Sequence, residues 1–193
     1  MAYNPEDIYN PKTKTELIKV VTPASKNYII AIGDWGGLEP GMSSTQQQIA
    51  SKMKDYVKYM KSQGMNLLFV VTTGDNFYWT GLKDQNMLKQ VWYDVYYDSD
   101  PDKDLTAYPW FPVFGNHDWG NKDSSAACPD NSRPLVNTTK YSSHTMFSNP
   151  NPSQAYGSNQ LNSDKGGYSG TGMFKNYYMP DFGYHFVIPE LKF

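Results

Sequence analysis

Three short apolar runs, each followed by glycine and a polar side chain, constrain this sequence more than any other feature. The runs are YIIAI at 28–32, LLFVVT at 67–72 and WFPVF at 110–114. Runs of this length that are rich in β-branched and aromatic residues are typical of buried strands. The clusters that follow them are GDWG at 33–36, GDNFY at 74–78 and GNHD at 115–118. The pattern predicts three strands, each leading into a polar loop.

Helical periodicity fills both intervals between these strands. In the first, Ser44 and Gln47 form a capping-box pattern, and Gln63-Gly64 supplies a stop signal. The apolar face predicted for this helix consists of Ile49, Met53, Tyr56, Val57 and Met60. A second helix is predicted from about Asp84 to Tyr97, with Met87, Leu88, Val91, Trp92 and Val95 facing inward. Strand, helix, strand, helix, strand is the pattern of a parallel α/β sheet.

The three polar loops are expected to meet at one edge, because ligands bind at the carboxyl ends of parallel strands. Asp34 lies 41 residues before Asp75, and Asp75 lies 41 residues before Asn116. The two carboxylates offer hard oxygen ligands, Asn116 offers an amide carbonyl, and His117 offers a nitrogen or a proton. A carboxylate between two cations can bridge them. The three clusters together favour a metal site over three unrelated turns.

The remaining segments are less informative. Residues 1–27 are polar and contain proline, so we expect an N-terminal arm there. Residues 121–172 are rich in Ser, Asn, Pro and Gly, which predicts a long loop or insert. Order is expected to return at Phe174–Ile188, whose last part is predicted to be a strand. Pro112 favours an edge or irregular position for the third strand.

Composition argues against several classes of protein. The formal net charge of −2 gives no basic surface for nucleic acid. No apolar run approaches the roughly 20 residues of a membrane span. Cys128 is the single cysteine, so no internal disulfide can form. The first residues lack the apolar stretch of a secretory signal, so the chain is expected to be intracellular or to have had a signal removed. His144 and His185 receive no role.

The motifs also resemble those of a known family. GDWGG at 33–37, GDNFYWTGL at 74–82 and GNHDWG at 115–120 are similar to the first three blocks of the metallophosphoesterases, in the calcineurin-like phosphoesterase superfamily. The tyrosine in the second block makes the set most similar to the purple and tartrate-resistant acid phosphatases. YYMPDFGYHFVIP at 177–189 resembles the region after the third block. The resemblance implies the N-terminal half of a four-layer α/β/β/α sandwich, formed by residues 28–193 with the insert at about 121–172.

The resemblance implies a binuclear metal centre. In it, Asp34 would bind ferric iron, Asp75 would bridge both metals, and Tyr78 would bind the iron as a phenolate. Asn116 would bind the second metal, which is Fe(2+), Zn(2+) or Mn(2+) in the family. These four residues are therefore the predicted metal ligands.

The resemblance further implies an acid phosphatase that hydrolyses phosphate monoesters. His117 would contact phosphate or protonate the leaving group, and Asp118 would orient His117. Metal-activated water would attack phosphorus in line. The implied partner is a phosphate monoester, with no nucleic acid and no membrane segment, and the oligomeric state stays open. Members of the family are secreted or lysosomal, although this sequence shows no signal peptide.

One departure from the family pattern matters. The family has two later blocks, with a single histidine and a His-x-His, and neither occurs among these 193 residues, which contain 3 histidines. A truncated gene model, a fragment or loss of the chemistry would each explain this. We therefore expect a domain that is incomplete at its C-terminus and has little or no activity alone. The alternative is a non-catalytic, phosphatase-like binding or scaffold protein.

Overall fold

A parallel sheet forms the centre of the computed structural model, which describes residues 26–37, 43–78, 81–115, 117–119, 157–181 and 183–184. Its three strands lie in the order β1-β2-β3 and are all parallel. They are β1 (Asn27–Ile32), β2 (Asn66–Thr72) and β3 (Trp110–Phe111). The α/β class and the three strands are thus confirmed. The third strand is shorter than predicted, since it ends directly before Pro112, which has no N–H for the ladder.

The first connection is the helix α1 (Ser44–Ser62). Its N-cap is Ser43, whose backbone is extended and whose Oγ accepts a hydrogen bond from the Gln46 backbone N–H at 3.1 Å. The predicted cap at Ser44 is therefore wrong by one residue, because Ser44 already lies in the first helical turn. The helix ends at Gln63-Gly64 as predicted, with Gly64 at a φ of 71°.

The buried stripe of α1 differs from the predicted apolar face. It runs through Gln46, Ala50, Met53 and Val57. Ile49 and Tyr56, both predicted to face inward, are 47% and 48% exposed. Gln46 is buried in their place because its Nε2 donates a hydrogen bond to the Val91 carbonyl at 2.8 Å. This hydrogen bond gives the buried amide nitrogen a partner. Apolar periodicity alone therefore misplaced part of the stripe, although Met53 and Val57 face the core as predicted.

The second connection is one helical stretch with three parts. α2 (Gln85–Leu88) leads into a π-helical turn (Lys89–Tyr93) and then α3 (Asp94–Tyr96). Asp84 caps it, accepting from the Met87 N–H at 2.8 Å. The predicted extent is confirmed, whereas the wider central turn was not predicted. Its inward residues are buried as expected, except that Met87 is only half-buried.

Large aromatic rings fill the space between the sheet and these helices. Tyr96 and Trp110 have ring centroids 4.7 Å apart, Trp92 and Tyr177 lie 5.3 Å apart, and Trp35 lies 5.6 Å from Trp110. All five rings are at most 4% exposed. Trp35 and Tyr177 come from the first polar loop and from the late segment, so this core ties both to the sheet.

The late segment returns to the sheet beside β3. Trp110 donates its N–H to the Asn176 carbonyl at 2.7 Å and accepts from the Tyr178 N–H at 2.9 Å. The segment contains 3₁₀ turns at Gly157–Gln160, Ser163–Lys165 and Gly172–Phe174. Within the range predicted as an insert, Leu161 and Ser169 are buried, so this part of the range packs on the core. Residues 1–25, residues 121–156 and the predicted strand from 185 onward lie outside the described residues.

The opposite face of the sheet carries a smaller apolar cluster of Leu68, Phe69 and Phe111. Leu68 and Phe69 both lie there because a bulge in the β1–β2 ladder places two β2 residues opposite Ile29. Ile29 and Val113 are 49% and 46% exposed. Nowhere in the described ranges is a helix long and apolar enough to cross a membrane.

Replacing Ser43 with alanine should lower the free energy of unfolding by about 1 kcal/mol, because the Gln46 N–H loses its capping partner. Ser44→Ala is the matched control and should change stability by less than about half of that. Urea unfolding of both variants measures the difference. Equal losses from the two variants would contradict the Ser43 cap.

Candidate metal centre

The polar loops that follow β1, β2 and β3 meet at one edge of the sheet, as the sequence predicts. The Asp34 N–H donates to the Gly74 carbonyl at 3.1 Å, and the Gly36 N–H donates to the Asp75 carbonyl at 3.3 Å. The His117 N–H donates to Asp75 Oδ1 at 3.1 Å. Backbone hydrogen bonds therefore fix the first loop against the second, and the Asp75 side chain fixes the third loop against the second.

The loops approach so closely that side chains do not fit at two positions. A Cβ on Gly115 would lie 2.2 Å from Asp75 Oδ1 and 2.4 Å from the Asp75 backbone nitrogen. Gly74 has a φ of 105°, and a Cβ there would lie 2.5 Å from the Gly115 nitrogen. Both distances are far below van der Waals contact, so glycine is required at these two positions.

Three oxygen donors converge beside this contact. The Tyr78 hydroxyl lies 2.8 Å from Asp34 Oδ1 and 2.9 Å from Asp75 Oδ2. A phenol has one proton to donate, so it cannot satisfy both carboxylates fully. Burial, followed by the hydrogen bonds to Asp34 and Asp75, raises the pKa of the Tyr78 phenol well above its usual range. Two carboxylates and a phenol form a hard donor set with excess negative charge, which fits a metal cation.

The backbone is strained at both carboxylates. Asp34 has a φ of 53° and Asp75 has a φ of 51°, and among the described residues no others besides glycines have positive φ. For a residue with a Cβ, this left-handed conformation costs about 1–2 kcal/mol. Such strain is concentrated at functional sites, where the surrounding structure enforces it. The strain therefore marks the same two residues that the motifs indicate.

His117 lies beside the oxygen donors. It begins the 3₁₀ turn His117–Trp119, and its ring centroid is 4.7 Å from that of Tyr78, with the ring planes tilted by 59°. Asn116, the fourth predicted ligand, lies outside the described residues. The described residues on either side of it, Gly115 and His117, both lie against Asp75.

Asp118 holds the second and third loops together through buried hydrogen bonds. Its carboxylate is fully buried and accepts hydrogen bonds from the backbone N–H groups of Gly115 at 2.7 Å, Asn76 at 2.9 Å and Phe77 at 3.2 Å. Burial raises the pKa of Asp118 to about 6, and these hydrogen bonds oppose the rise. The predicted role of Asp118 in orienting His117 stays a prediction. These contacts show that Asp118 fixes the backbone directly after Asp75 and the backbone of Gly115, two residues before His117.

Two further residues that hold these loops, Asn76 and Gln160, were not predicted from the sequence. Asn76 is fully buried, and its Oδ1 accepts from Trp35 Nε1 at 2.8 Å and Thr72 Oγ1 at 2.6 Å. Its Nδ2 donates to the Val113 carbonyl at 2.8 Å, so this amide touches all three loops. Gln160 donates to Asp118 Oδ1 at 2.9 Å. Asn76 lies inside a motif, whereas no sequence signal distinguishes Gln160.

A family model described as calcineurin-like phosphoesterase matches residues 28–189, which is well over half of the sequence. The chain belongs to the calcineurin-like phosphoesterase family. This confirms the resemblance seen in the motifs and supports phosphoester hydrolysis. Members of the family generally use a binuclear metal centre. Within the described residues, no group of three or more His, Cys, Asp or Glu side chains could hold a metal.

Individual relatives are acid phosphatases. The chain is 33% identical to tartrate-resistant acid phosphatase type 5 of Rattus norvegicus over 104 residues, which is 53% of this chain and 30% of that protein. The human protein of the same name is 33% identical over 99 residues, or 50% of this chain and 28% of that protein. Purple acid phosphatase 4 of Arabidopsis thaliana is 32% identical over 114 residues, or 56% and 30%. Each match spans less than a third of the relative's length.

Gly115→Ala should disrupt the centre, because its Cβ would lie 2.2 Å from Asp75 Oδ1. We expect a loss of about 2 kcal/mol in unfolding free energy, typical of forced overpacking, together with weaker zinc binding. Gly183→Ala is the control, since nothing lies within 4 Å of a Cβ there. Urea unfolding and calorimetric zinc titration measure the two effects. If both variants matched the unsubstituted protein, the close approach of the loops would be disproved.

Proposed function

We propose that this protein hydrolyses phosphate monoesters at a binuclear metal centre, as an acid phosphatase. One observation carries the proposal: the Tyr78 hydroxyl lies 2.8 Å from Asp34 and 2.9 Å from Asp75. These are the residues to which the purple acid phosphatase resemblance gives one ferric ion. Relatives named as tartrate-resistant and purple acid phosphatases support the same reaction class.

The two oxygens of Asp75 support its proposed role as the bridge. Oδ2 lies 2.9 Å from the Tyr78 hydroxyl, whereas Oδ1 accepts the His117 N–H at 3.1 Å. One oxygen therefore faces the proposed iron ligands, and the other faces the loop that carries Asn116. In this proposal, Asp34, Asp75 and Tyr78 would hold Fe(3+), while Asp75 and Asn116 would hold Fe(2+), Zn(2+) or Mn(2+).

When bound, the metal pair supplies an activated water and positive charge that stabilises the transition state. The residues of the chain set the geometry for this. His117 lies beside the donors and is proposed to protonate the leaving alcohol oxygen or to contact phosphate. Asp118 holds the backbone of the loops that carry Asp75 and His117, so its contribution is positional.

We also propose that the fold is part of a four-layer α/β/β/α sandwich. The face of the sheet opposite the helices carries the cluster of Leu68, Phe69 and Phe111, with Ile29 and Val113 49% and 46% exposed. Apolar side chains of this kind are suited to packing against a second sheet. This support is independent of the metal centre.

The protein that carries this chain should hydrolyse a chromogenic aryl phosphate, with the best turnover at acidic pH. Asp75→Asn should lower turnover by about 100-fold or more, because the bridging carboxylate serves both metals. Asp102→Asn is the matched control. Asp102 forms a surface ion pair with Lys61, and such pairs contribute little. Assays of both variants against pH measure this.

The 193 residues alone should show little or no turnover in the same assay. The resemblance assigns further metal ligands to histidine blocks that these residues do not contain.

Activity on phosphodiesters alone would contradict the proposed substrate class. Full activity of Asp75→Asn would contradict the proposed bridge, and no hydrolysis under any condition would favour the scaffold alternative.

Tyr78→Phe should abolish a visible absorption band of the ferric protein, because a phenolate bound to Fe(3+) is the proposed source of colour. Tyr59→Phe is the control, since Tyr59 is 59% exposed and belongs to α1. Visible absorption after loading with Fe(3+) and circular dichroism of both variants distinguish lost ligation from lost folding. An unchanged band in folded Tyr78→Phe would remove Tyr78 from the ligand set.

A further inference from the structure

Gln160 contacts the candidate centre from a distant part of the sequence. It ends the 3₁₀ turn Gly157–Gln160, lies 42 residues after Asp118 and is fully buried. Its Nε2 donates to Asp118 Oδ1 at 2.9 Å. Its Oε1 accepts from the Tyr177 hydroxyl at 3.1 Å and from Asn76 Nδ2 at 3.3 Å. Both ends of the amide are therefore held in a defined orientation.

The Asp118 carboxylate depends on this amide for one of its few side-chain donors. Its other partners are the backbone N–H groups of Gly115, Asn76 and Phe77, together with Asn76 Nδ2 at 3.2 Å. A buried carboxylate that loses a donor must reorient or recruit water. Either response would shift the backbone groups that it holds.

Those backbone groups are adjacent to the proposed reactive residues. Asn76 directly follows Asp75, and Gly115 lies two residues before His117. A displacement of the carboxylate would therefore be transmitted to the bridge and to the proposed proton donor. Metal sites tolerate only small displacements of their ligands, about 0.5 Å.

We infer that Gln160 is a positioning residue of the metal centre, acting through Asp118 on the loops that carry Asp75 and His117. The inference rests on the proposed function and adds a residue outside the motif blocks. It also gives the segment after residue 156 a part in the site.

A purely structural role would be to attach the late segment to the core, and other contacts already do this. Asn159 Nδ2 donates to the carbonyls of Leu82 at 2.9 Å and Lys83 at 3.0 Å. Asn176 accepts from the Trp110 N–H through its carbonyl at 2.7 Å. Asn159 therefore offers a matched control: it is adjacent to Gln160 and half-buried, and its amide bonds to the segment at 82–83 instead of Asp118.

The test compares Gln160→Met with Asn159→Ala in the full chain, using Zn(2+) as the probe. Calorimetric titration should show zinc binding weakened about 10-fold or more by Gln160→Met, the range known for residues that orient metal ligands. Asn159→Ala should leave zinc affinity within about twofold of the unsubstituted protein. Amide hydrogen exchange at Asn76, Phe77 and Gly115 should accelerate only in Gln160→Met.

Tyr177→Phe covers the case in which Gln160→Met does not fold. It removes only the hydroxyl that donates to Gln160, and should weaken zinc binding in the same direction by a smaller factor. Unchanged zinc affinity in folded Gln160→Met, or equal weakening by Asn159→Ala, would overturn the inference. So would unchanged affinity in Tyr177→Phe if Gln160→Met is unfolded.

The proposed function can fail separately. If the unsubstituted chain binds no zinc, the proposed centre fails, and hydrogen exchange alone decides the role of Gln160. Faster exchange at the three amides in Gln160→Met, or in Tyr177→Phe if Gln160→Met is unfolded, with Asn159→Ala unchanged, would still support positioning of the loops. Unchanged exchange would overturn it.

Discussion

The rest of the site depends on the hydrogen bonds that the buried carboxylate of Asp118 accepts. An unpaired carboxylate inside a protein is very costly, so it must be surrounded by donors. Here the donors are the backbone N–H groups of Gly115, Asn76 and Phe77 together with the amide of Gln160. Satisfying one charge therefore fixes two loops and a distant segment at once. Because the bonds go to the backbone, the positions of the neighbouring side chains follow.

The same hydrogen bonds explain how the strained backbone at two carboxylates persists. Asp34 and Asp75 both adopt left-handed backbone conformations, at φ of 53° and 51°, which is unfavourable by about 1–2 kcal/mol each. Asp34 is held by the hydrogen bond from its N–H to the Gly74 carbonyl. Asp75 lies between Gly74 and Asn76, whose N–H donates to Asp118. The aromatic core beneath, which includes Trp35, fixes the first loop from the other side. Backbone strain at Asp34 and Asp75 is thus offset by hydrogen bonding and packing next to them.

The sequence predicted the features that arise from local pattern. Apolar runs located the three strands, and the glycine-containing clusters located Asp34, Asp75, Tyr78 and His117, which the structure brings together. Local pattern was less able to place the buried face of α1, because Gln46 is buried through a hydrogen bond to Val91 while Ile49 is exposed. Gln160 could not be found this way, since its role arises only when a late segment packs against Asp118. Features that depend on long-range contacts leave no periodic pattern in the amino-acid sequence.

The site combines two sets of groups with opposite electrostatic requirements. Around Asp118 and Asn76, donors match acceptors, so this part stabilises the folded chain by itself. Around Tyr78, one phenol proton is shared between Asp34 Oδ1 and Asp75 Oδ2, and Asp75 Oδ1 accepts the His117 backbone N–H, so two negative charges converge on neutral donors. A cation that binds only the folded state would compensate these charges and add to stability. Since the contacts around Asp118 and Asn76 hold the loops that carry Asp75 and Tyr78, the geometry of these oxygen donors is set by the protein's own contacts, and a cation would not have to organise the loops.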